Sequence, residues 1–219
     1  MPKKTKVVLV DDHPLVREWL ATLINQQPDL EVSGDADAAP KALQIIGATQ
    51  PDIAIVDISM EGGSGIELIK NIRASHPNVL VVVLSMHDES VYAERSLRAG
   101  ARGYIMKREA TKRVLQAIRC VLDGKLYLSD KMAMVMAEKF VEGRPPTEGS
   151  LIEQLSDREL EVFQLLGRGY NTRQIAEDLH VSFKTVQAFS ARIKEKLKLS
   201  RATELLREAV QWHNSQNLK

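Results

Sequence analysis

Five polar residues in the first half of the chain have the chemistry to bind a divalent cation and take up a phosphoryl group. They are three carboxylates, one hydroxyl and one ammonium: Asp11, Asp12, Asp57, Ser85 and Lys107. Four of them stand at the end, or one residue past the end, of a short apolar run, and these runs are residues 7–10, 53–56, 79–84 and 103–106. Runs this short and this rich in β-branched residues are typical of strands buried on both faces of a parallel sheet. Because ligands bind beyond the carboxyl ends of such strands, the sequence predicts that the five residues share one rim.

Several carboxylates on one rim repel each other, which raises the pKa of at least one of them. A Mg²⁺ ion would relieve this repulsion, since it is held by one or two carboxylates, water and phosphate oxygens. With a metal and Lys107 nearby, Asp57 could stay ionised and attack phosphorus. The ion, Lys107 and the Ser85 hydroxyl would then neutralise charge on the transferring group. Taken singly, each residue is also compatible with a helix cap, a turn or a solvated side chain.

Amphipathic helices are predicted between the apolar runs. Their apolar residues recur at helical spacing over 14–26, 40–49, 65–75, 90–99 and 111–123, and residues 30–33 supply the remaining strand. Alternation of strands and helices over about 120 residues predicts a parallel sheet with helices on both faces. The expected fold is therefore an α/β domain, a doubly wound five-stranded parallel sheet of the flavodoxin-like kind, over residues 1–124.

The second half of the chain is predicted to be helical. Residues 125–152 form a linker with a helix over 130–141, followed by turn-forming residues without periodicity over 142–150. Ser156 and Glu159 have the spacing of a capping box that opens a helix to about residue 168. Further helices are predicted over 172–179, 182–196 and 202–214. We therefore expect a separate all-α four-helix domain over 153–216.

One predicted helix of the second half carries a basic stripe. Between Ser182 and Arg201 there are six basic residues and one acidic residue. Its apolar face holds Val186, Phe189, Ile193 and Leu197, so small and long polar side chains lie opposite and could enter a major groove. The candidate DNA contacts are Thr172, Ser182, Lys184, Thr185, Gln187, Ala188, Ala191, Arg192, Lys194 and Lys196. An ordinary helical bundle with a solvated face is the alternative.

Composition sets the remaining bounds. The chain has 219 residues, 44% of them hydrophobic, and a net charge of +1, which suits two globular domains. Cys120 is the only cysteine, so no internal disulfide can form. The segment before Asp11 is too short for a signal peptide, and no apolar run approaches the ~18–20 residues of a membrane span. We expect a cytoplasmic protein without a membrane partner.

The five polar residues of the first half, with the segments around them, resemble the receiver domain of two-component response regulators. The matching segments are VVLVDDHP at 7–14, DISMEGGSG at 57–65, LSM at 84–86 and ARGYIMK at 101–107. The resemblance implies that Asp57 is the phosphoacceptor and that Lys107 contacts the phosphoryl group. It further implies that Asp12 ligates Mg²⁺ directly, that Asp11 acts on the metal mostly through water, and that the backbone carbonyl of Ser59 completes the protein ligands.

The same resemblance identifies Ser85 and Tyr104 as a hydroxyl and aromatic switch pair that rearranges when phosphate arrives. Ser59 and His87 occupy variable positions that influence, in this family, how long the phosphoryl group survives. Glu61 departs from the pattern, since many relatives have proline there. The departure removes none of the acceptor chemistry.

A second pattern runs through Leu155, Glu159, Leu165, Gly169, Ile175, Ala176, Val181, Ser182, Thr185, Val186 and Ile193. With this pattern, residues 155–212 resemble the LuxR/NarL-type DNA-binding domain. The predicted helix over 182–196 corresponds to the recognition helix of this family. In it, Gln187 stands where lysine is frequent and Phe189 where histidine is frequent. Gln187 faces outward, so it could read adenine rather than guanine or phosphate. The last helix resembles the dimerisation helix of the family, with Ala202, Leu205, Leu206 and Ala209 as candidate contacts. Simple packing against the other three helices is the alternative for that helix.

Together these features predict a DNA-binding response regulator of a two-component system. Its expected partners are a sensor histidine kinase or small phosphodonor, promoter DNA, a second copy of the chain once phosphorylated, and RNA polymerase. One rival is a Mg²⁺-dependent phosphatase with an aspartate nucleophile, but such sites place a second aspartate where this chain has Ser59. Another rival uses the receiver as a phosphorylation-independent dimerisation module.

Overall fold

The computed structural model describes residues 4–60, 63–141 and 151–217. Its contacts divide the chain into two compact units, residues 1–136 and 137–219, and each is described by itself. Two sequence expectations, the departure at Glu61 and the turn-rich stretch 142–150, lie outside the described residues. No helix in the described part of the chain is long and apolar enough to cross a membrane.

The first unit is built on the predicted five-stranded parallel sheet. Its strands are β1 (Thr5–Val10), β2 (Leu30–Ala36), β3 (Ile53–Val56), β6 (Leu80–Ser85) and β7 (Gly103–Met106), in the order β2-β1-β3-β6-β7. A short antiparallel pair, β4 (Ser59–Met60) and β5 (Gly63–Ser64), follows β3 and was not predicted. The chain leaves β1 toward β2 and later returns to β3 on the other side of β1. The crevice between the ends of β1 and β3 is therefore the switch point where such sheets bind ligands.

Five helices cover both faces of the sheet, which confirms the doubly wound architecture. They are α1 (Pro14–Asn25), α2 (Ala39–Thr49), α3 (Gly65–Ser75), α4 (Glu89–Ala99) and α5 (Ala110–Leu122). One continuous core joins α1 and α5 to the sheet through buried side chains such as Leu9, Leu20 and Val114. Helices α2, α3 and α4 pack side by side. Consecutive strand residues face opposite sides, so both helical layers find apolar partners.

After α5 the chain returns along the free edge of β7. The Tyr127 N–H donates to the Arg102 carbonyl and the Tyr104 N–H donates to the Tyr127 carbonyl, both at 2.9 Å. Two residues later, the Ser129 amide and hydroxyl donate to the Glu89 carboxylate at 3.0 and 2.5 Å. We call residues 126–129 the edge strap. Helix α6 (Asp130–Val141) begins directly after it.

The second unit is helical, as predicted. A single-turn 3₁₀ segment, Leu151–Gln154, precedes α7 (Asp157–Gly167), α8 (Thr172–Asp178), α9 (Phe183–Lys196) and α10 (Ala202–Asn217). Ser156 caps α7 in a complete capping box with Glu159. Asn171 caps α8 in a second capping box with Gln174. Gly167 allows close packing of α7 and α10, since a Cβ there would lie 2.5 Å from the Ala209 carbonyl oxygen.

Candidate functional site

A pair of buried carboxylates occupies the switch point of the sheet. Asp11 follows β1 and Asp57 follows β3, and each residue is only 2% exposed. The Asp57 N–H donates to the Val10 carbonyl at 2.8 Å, so the β1–β3 pairing itself places the two residues side by side. Lys107, directly after β7, reaches both of them. Its Nζ lies 2.6 Å from Asp57 Oδ2 and 2.7 Å from Asp11 Oδ2.

Together with Asp12 and His13, this pair forms a group of four side chains, the acidic cluster, that could hold a cation. Ligand atoms of Asp11, Asp12, His13 and Asp57 all lie within 4.8 Å of one another. His13 Nδ1 stands 2.6 Å from Asp12 Oδ1 and 3.2 Å from Asp11 Oδ1. Three carboxylates form a hard oxygen donor set, which is what Mg²⁺ requires. The residues present therefore fit the predicted ion.

Burial controls the protonation of this cluster. Removal from water raises the pKa of Asp57 to about 6, although the Lys107 ammonium and the hydrogen bond from the Ser59 amide oppose the rise. Burial alone would lower the pKa of Lys107, but the carboxylates of Asp57 and Asp11 outweigh it and raise that pKa. Lys107 thus remains a cation at neutral pH, and Asp57 is a largely ionised carboxylate in an environment that resists its charge.

The two candidate switch residues, Ser85 and Tyr104, are both hydrogen-bonded to His87. His87 follows β6: its amide donates to Ser85 Oγ at 3.1 Å, and its carbonyl accepts from the Tyr104 hydroxyl at 3.0 Å. Its ring Nε2 lies 2.5 Å from Ser59 Oγ, and the Ser59 amide donates to Asp57 Oδ1 at 3.0 Å. Burial raises the pKa of Tyr104 well above its ordinary value, so its hydroxyl is a donor at neutral pH. A connected set of hydrogen bonds therefore joins Asp57 to Tyr104.

In the second unit, α8 and α9 form a helix-turn-helix. Val186, Ile193 and Leu197 are buried and Phe189 is half-buried, as the predicted apolar face requires. The exposed candidate contacts are Ser182, Lys184, Gln187, Ala188, Ala191 and Arg192; the half-buried ones are Thr172, Thr185, Lys194 and Lys196. The small side chains of Ala188 and Ala191 lie on the exposed face of α9, where close approach to a flat or grooved surface is possible.

Two models of known families match the chain. The response regulator receiver domain matches residues 7–119, and the bacterial regulatory proteins of the luxR family match residues 153–209. The oxygen regulatory protein NreC of Staphylococcus carnosus strain TM300 is 36% identical over 209 residues, covering 94% of this chain and 96% of the relative. The chain belongs to the response regulators. More closely, it is a NarL-type regulator with a receiver and a LuxR-type DNA-binding domain, and so a two-component transcription regulator rather than a classical enzyme.

Solved structures agree with this fold. A LuxR-family response regulator from Aurantimonas sp. SI85-9A1 is 34% identical with a TM-score of 0.59, covering 64% of this chain and 99% of that one. RcsB from Salmonella enterica serovar Typhimurium, bound to promoter rprA in the presence of phosphomimetic BeF3-, has a TM-score of 0.67. It is 23% identical and the match covers 94% of this chain and 98% of that one, so this second likeness concerns the fold alone.

Three candidate residues of this response regulator have neighbours that bear on their roles. The Lys196 Nζ lies 2.6 Å from Oε2 of Glu159, a residue only 3% exposed, and 3.1 Å from the Gln154 carbonyl. Although Lys196 belongs to the basic stripe, its ammonium therefore ties α9 to the start of α7. Ser182 and Thr185 form the cap of α9, with the Thr185 amide donating to Ser182 Oγ at 3.1 Å.

The candidate dimerisation residues divide between the two sides of α10. Leu205 and Ala209 are buried inside the helical unit, where α10 packs on α7. Ala202 is exposed, and Leu206 is 45% exposed. The dimerisation prediction for this response regulator therefore rests on Ala202 and Leu206, because only they offer a surface to a second chain.

Besides His13, two residues near the carboxylates were not predicted from the sequence. A Cβ on Gly65 would lie 2.2 Å from the Asp57 carbonyl oxygen, so only glycine fits where α3 begins beside Asp57. The Arg17 guanidinium donates to the Asp11 carbonyl at 2.6 Å. The signal for Gly65 lay within the matched segment 57–65. For Arg17 the signal was weaker: a basic residue near the start of α1, six residues after Asp11.

Proposed function

We propose that this response regulator takes a phosphoryl group on Asp57 and that the phosphorylated state controls dimerisation and promoter binding. The observation that carries the proposal is the Lys107 ammonium, 2.6 Å from Asp57 Oδ2 and 2.7 Å from Asp11 Oδ2 at the switch point of the sheet. A cation fixed between an acceptor carboxylate and a neighbouring carboxylate is placed to neutralise a phosphoryl group transferred there.

The proposed step is a displacement at phosphorus. An Asp57 oxygen forms a bond to the phosphorus of the donor while the bond to the donor's leaving group breaks, giving an acyl phosphate. Lys107 neutralises the phosphoryl oxygens and the Ser85 hydroxyl donates to one of them. Asp11, Asp12, Asp57 and the Ser59 carbonyl would hold a Mg²⁺ ion, which would supply further charge neutralisation. The protein thereby acts only on itself, promoting its own phosphorylation and dephosphorylation.

The switch is proposed to run through Tyr104. Its hydroxyl bonds the His87 carbonyl, while the His87 amide bonds Ser85 Oγ. A phosphoryl group that draws the Ser85 hydroxyl toward Asp57 would break the second of these bonds. The loop between β6 and α4 would then settle elsewhere, and Tyr104 with it.

The output is proposed to be a dimer of helix-turn-helix units on two half-sites of promoter DNA. Gln187, Ala188 and Ala191 face base edges, Lys184, Arg192 and Lys194 contact phosphates, and Ala202 with Leu206 joins the two copies. The protein is proposed to act in the cytoplasm, with a sensor histidine kinase as its phosphodonor and RNA polymerase as a further partner. Phosphate-contacting cations make binding salt-dependent, so Arg192→Gln should lower affinity for all sequences and reduce the slope against salt.

The decisive experiment is intact-mass spectrometry of the full chain after incubation with acetyl phosphate and Mg²⁺. Wild type should gain one phosphoryl mass and Asp57→Asn none, while Asp37→Asn, an exposed acid in the same unit, should label like wild type. Oligomeric state without DNA is measured in parallel. Labelling of Asp57→Asn would overturn the assignment, and a wild type that binds DNA without ever being labelled would favour the phosphorylation-independent dimerisation module.

A further inference from the structure

The Arg17 guanidinium lies outside the acidic cluster and hydrogen-bonds the backbone from which Asp11 and Asp12 project. Arg17, on the second turn of α1, donates from Nη1 to the Asp11 carbonyl at 2.6 Å and from Nε to Asp35 Oδ2 at 3.0 Å. Its side chain is 16% exposed. Asp35 lies in β2, next to β1. The two bonds therefore stretch Arg17 between a neighbouring strand and the loop that follows β1.

The position of the accepting carbonyl gives this contact its meaning. The Asp11 carbonyl belongs to the peptide unit that joins Asp11 to Asp12, and that unit is planar. Fixing this oxygen therefore restrains two backbone torsions together, ψ of Asp11 and φ of Asp12. The directions in which the two carboxylates leave the chain depend on those torsions. A hydrogen bond from a charged donor is about twice as strong as a neutral one, so this restraint is firm.

The positive charge of Arg17 makes an orienting role distinguishable from a purely electrostatic one. A cation beside a cluster that binds another cation weakens that binding by repulsion. The Asp35 carboxylate, 3.0 Å from the guanidinium, offsets this repulsion. If Arg17 acted only through its charge, then removing the charge would strengthen Mg²⁺ binding. If it acts by orienting the peptide, removing it would weaken Mg²⁺ binding.

We propose that Arg17, itself held by Asp35, is a positioning residue that orients Asp11 and Asp12 for a divalent cation. It touches neither the cation nor the phosphoryl group. The inference rests on the proposed function, since it names a residue that acts on the same site. It adds a second layer to that site, of the kind that orients first-layer ligands in metal proteins.

The test compares Mg²⁺ binding by full-length variants, using calorimetry with MgCl₂ and no phosphodonor. Arg17→Met keeps the aliphatic stem and removes every donor, and should raise the Mg²⁺ dissociation constant about tenfold. Arg17→Lys keeps the charge but loses the two-point fork, and should give a smaller rise. The acetyl phosphate reaction should need correspondingly more Mg²⁺ for half-maximal labelling, with the rate at saturating Mg²⁺ unchanged.

Arg119→Met serves as the control, because Arg119 pairs with Asp29 at 3.4 Å on the surface of the same unit without contacting the acidic cluster. It should bind Mg²⁺ like wild type. An unchanged or smaller dissociation constant in Arg17→Met would overturn the proposal. An Arg17→Lys variant that binds Mg²⁺ like wild type would also overturn it. This second variant still tests the proposal if Arg17→Met does not fold.

The outcomes of this test separate from those of the proposed function. A wild-type protein that binds Mg²⁺ but is never labelled would refute phosphorylation at Asp57, while the calorimetric comparison would still decide the role of Arg17. If wild type and Arg17→Met are both labelled normally, with the same Mg²⁺ dependence, only the role of Arg17 would be refuted.

Discussion

Replacing Asp57 by asparagine should make the folded protein more stable in the absence of Mg²⁺. The carboxyl has an ordinary pKa of 3.8 and a folded-state pKa of about 6, because burial disfavours its charge more than Lys107 favours it. Between those values the folded state binds more protons than the unfolded state, so the free energy of unfolding falls as pH rises. Above about pH 7 the loss is complete and constant.

The size of the effect follows from the same two values. At 1.36 kcal/mol for each unit of pKa difference, ionised Asp57 costs the fold about 3 kcal/mol at pH 7.5. Asparagine has nearly the same shape and no charge, so Asp57→Asn should recover most of that energy. The residue is 2% exposed, so solvent screening takes little from the figure.

Urea unfolding of the full chain, in buffer stripped of divalent cations, would measure this difference. The gap between Asp57→Asn and wild type should be small at pH 4, grow through pH 6 and level off above pH 7. Asp37→Asn should show the opposite sign, because a backbone hydrogen bond and Lys41 lower the pKa of this exposed acid, so the asparagine variant gains no stability as pH rises. A gap that stays constant across this pH range, or an asparagine variant less stable than wild type at pH 7.5, would refute the reasoning.

Three further predictions concern other contacts of the chain. Lys196→Met should destabilise the helical unit by about 1–3 kcal/mol at pH 7, since it strips the buried Glu159 carboxylate of its charged partner. Burial acts to raise the Glu159 pKa, but the contacts with Lys196 and the Ser156 cap together outweigh it and lower that pKa, so chemical denaturation should show this loss shrinking as pH falls through the lowered value. Ser129→Ala should speed hydrogen exchange across the edge strap, because the Glu89 carboxylate loses its hydroxyl donor; unchanged exchange would count against the strap. Gln187→Lys should shift the preferred bases in a binding-site selection while total affinity at low salt rises, and an unchanged site would remove Gln187 from the reading face.

The sequence predicted the parts of the site that depend on strand ends. Asp11, Asp57 and Lys107 each follow a buried apolar run, and parallel pairing brings the carboxyl ends of such runs to one rim. That argument needs only the order and the period of the residues. The five-stranded sheet, its two helical layers and the helix-turn-helix are confirmed for the same reason.

Contacts that depend on the direction of a long side chain were beyond the sequence. Nothing in the period of α9 distinguishes Lys196, which reaches Glu159, from its neighbour Lys194. The predicted dimerisation set likewise mixed both sides of α10, because the small Ala209 fits a tight helix contact and a surface equally well. Arg17 and Gly65 depend on distances to backbone atoms, which no pattern of residue types contains. The short β4–β5 pair is set by chain geometry after β3 rather than by apolar period.

The edge strap also bears on how the receiver can be handled in isolation. A terminal strand whose amides and carbonyls face water is a template for pairing with other chains. In this protein the Arg102 carbonyl and the Tyr104 amide would stand open on β7 if Tyr127 were absent. A receiver fragment that ends at residue 124 would therefore expose the unpaired edge of β7. Self-association of the fragment through that edge would mimic regulated dimerisation. A fragment that ends at residue 136 keeps that edge closed, so any dimer it forms on phosphorylation reports the regulated surface.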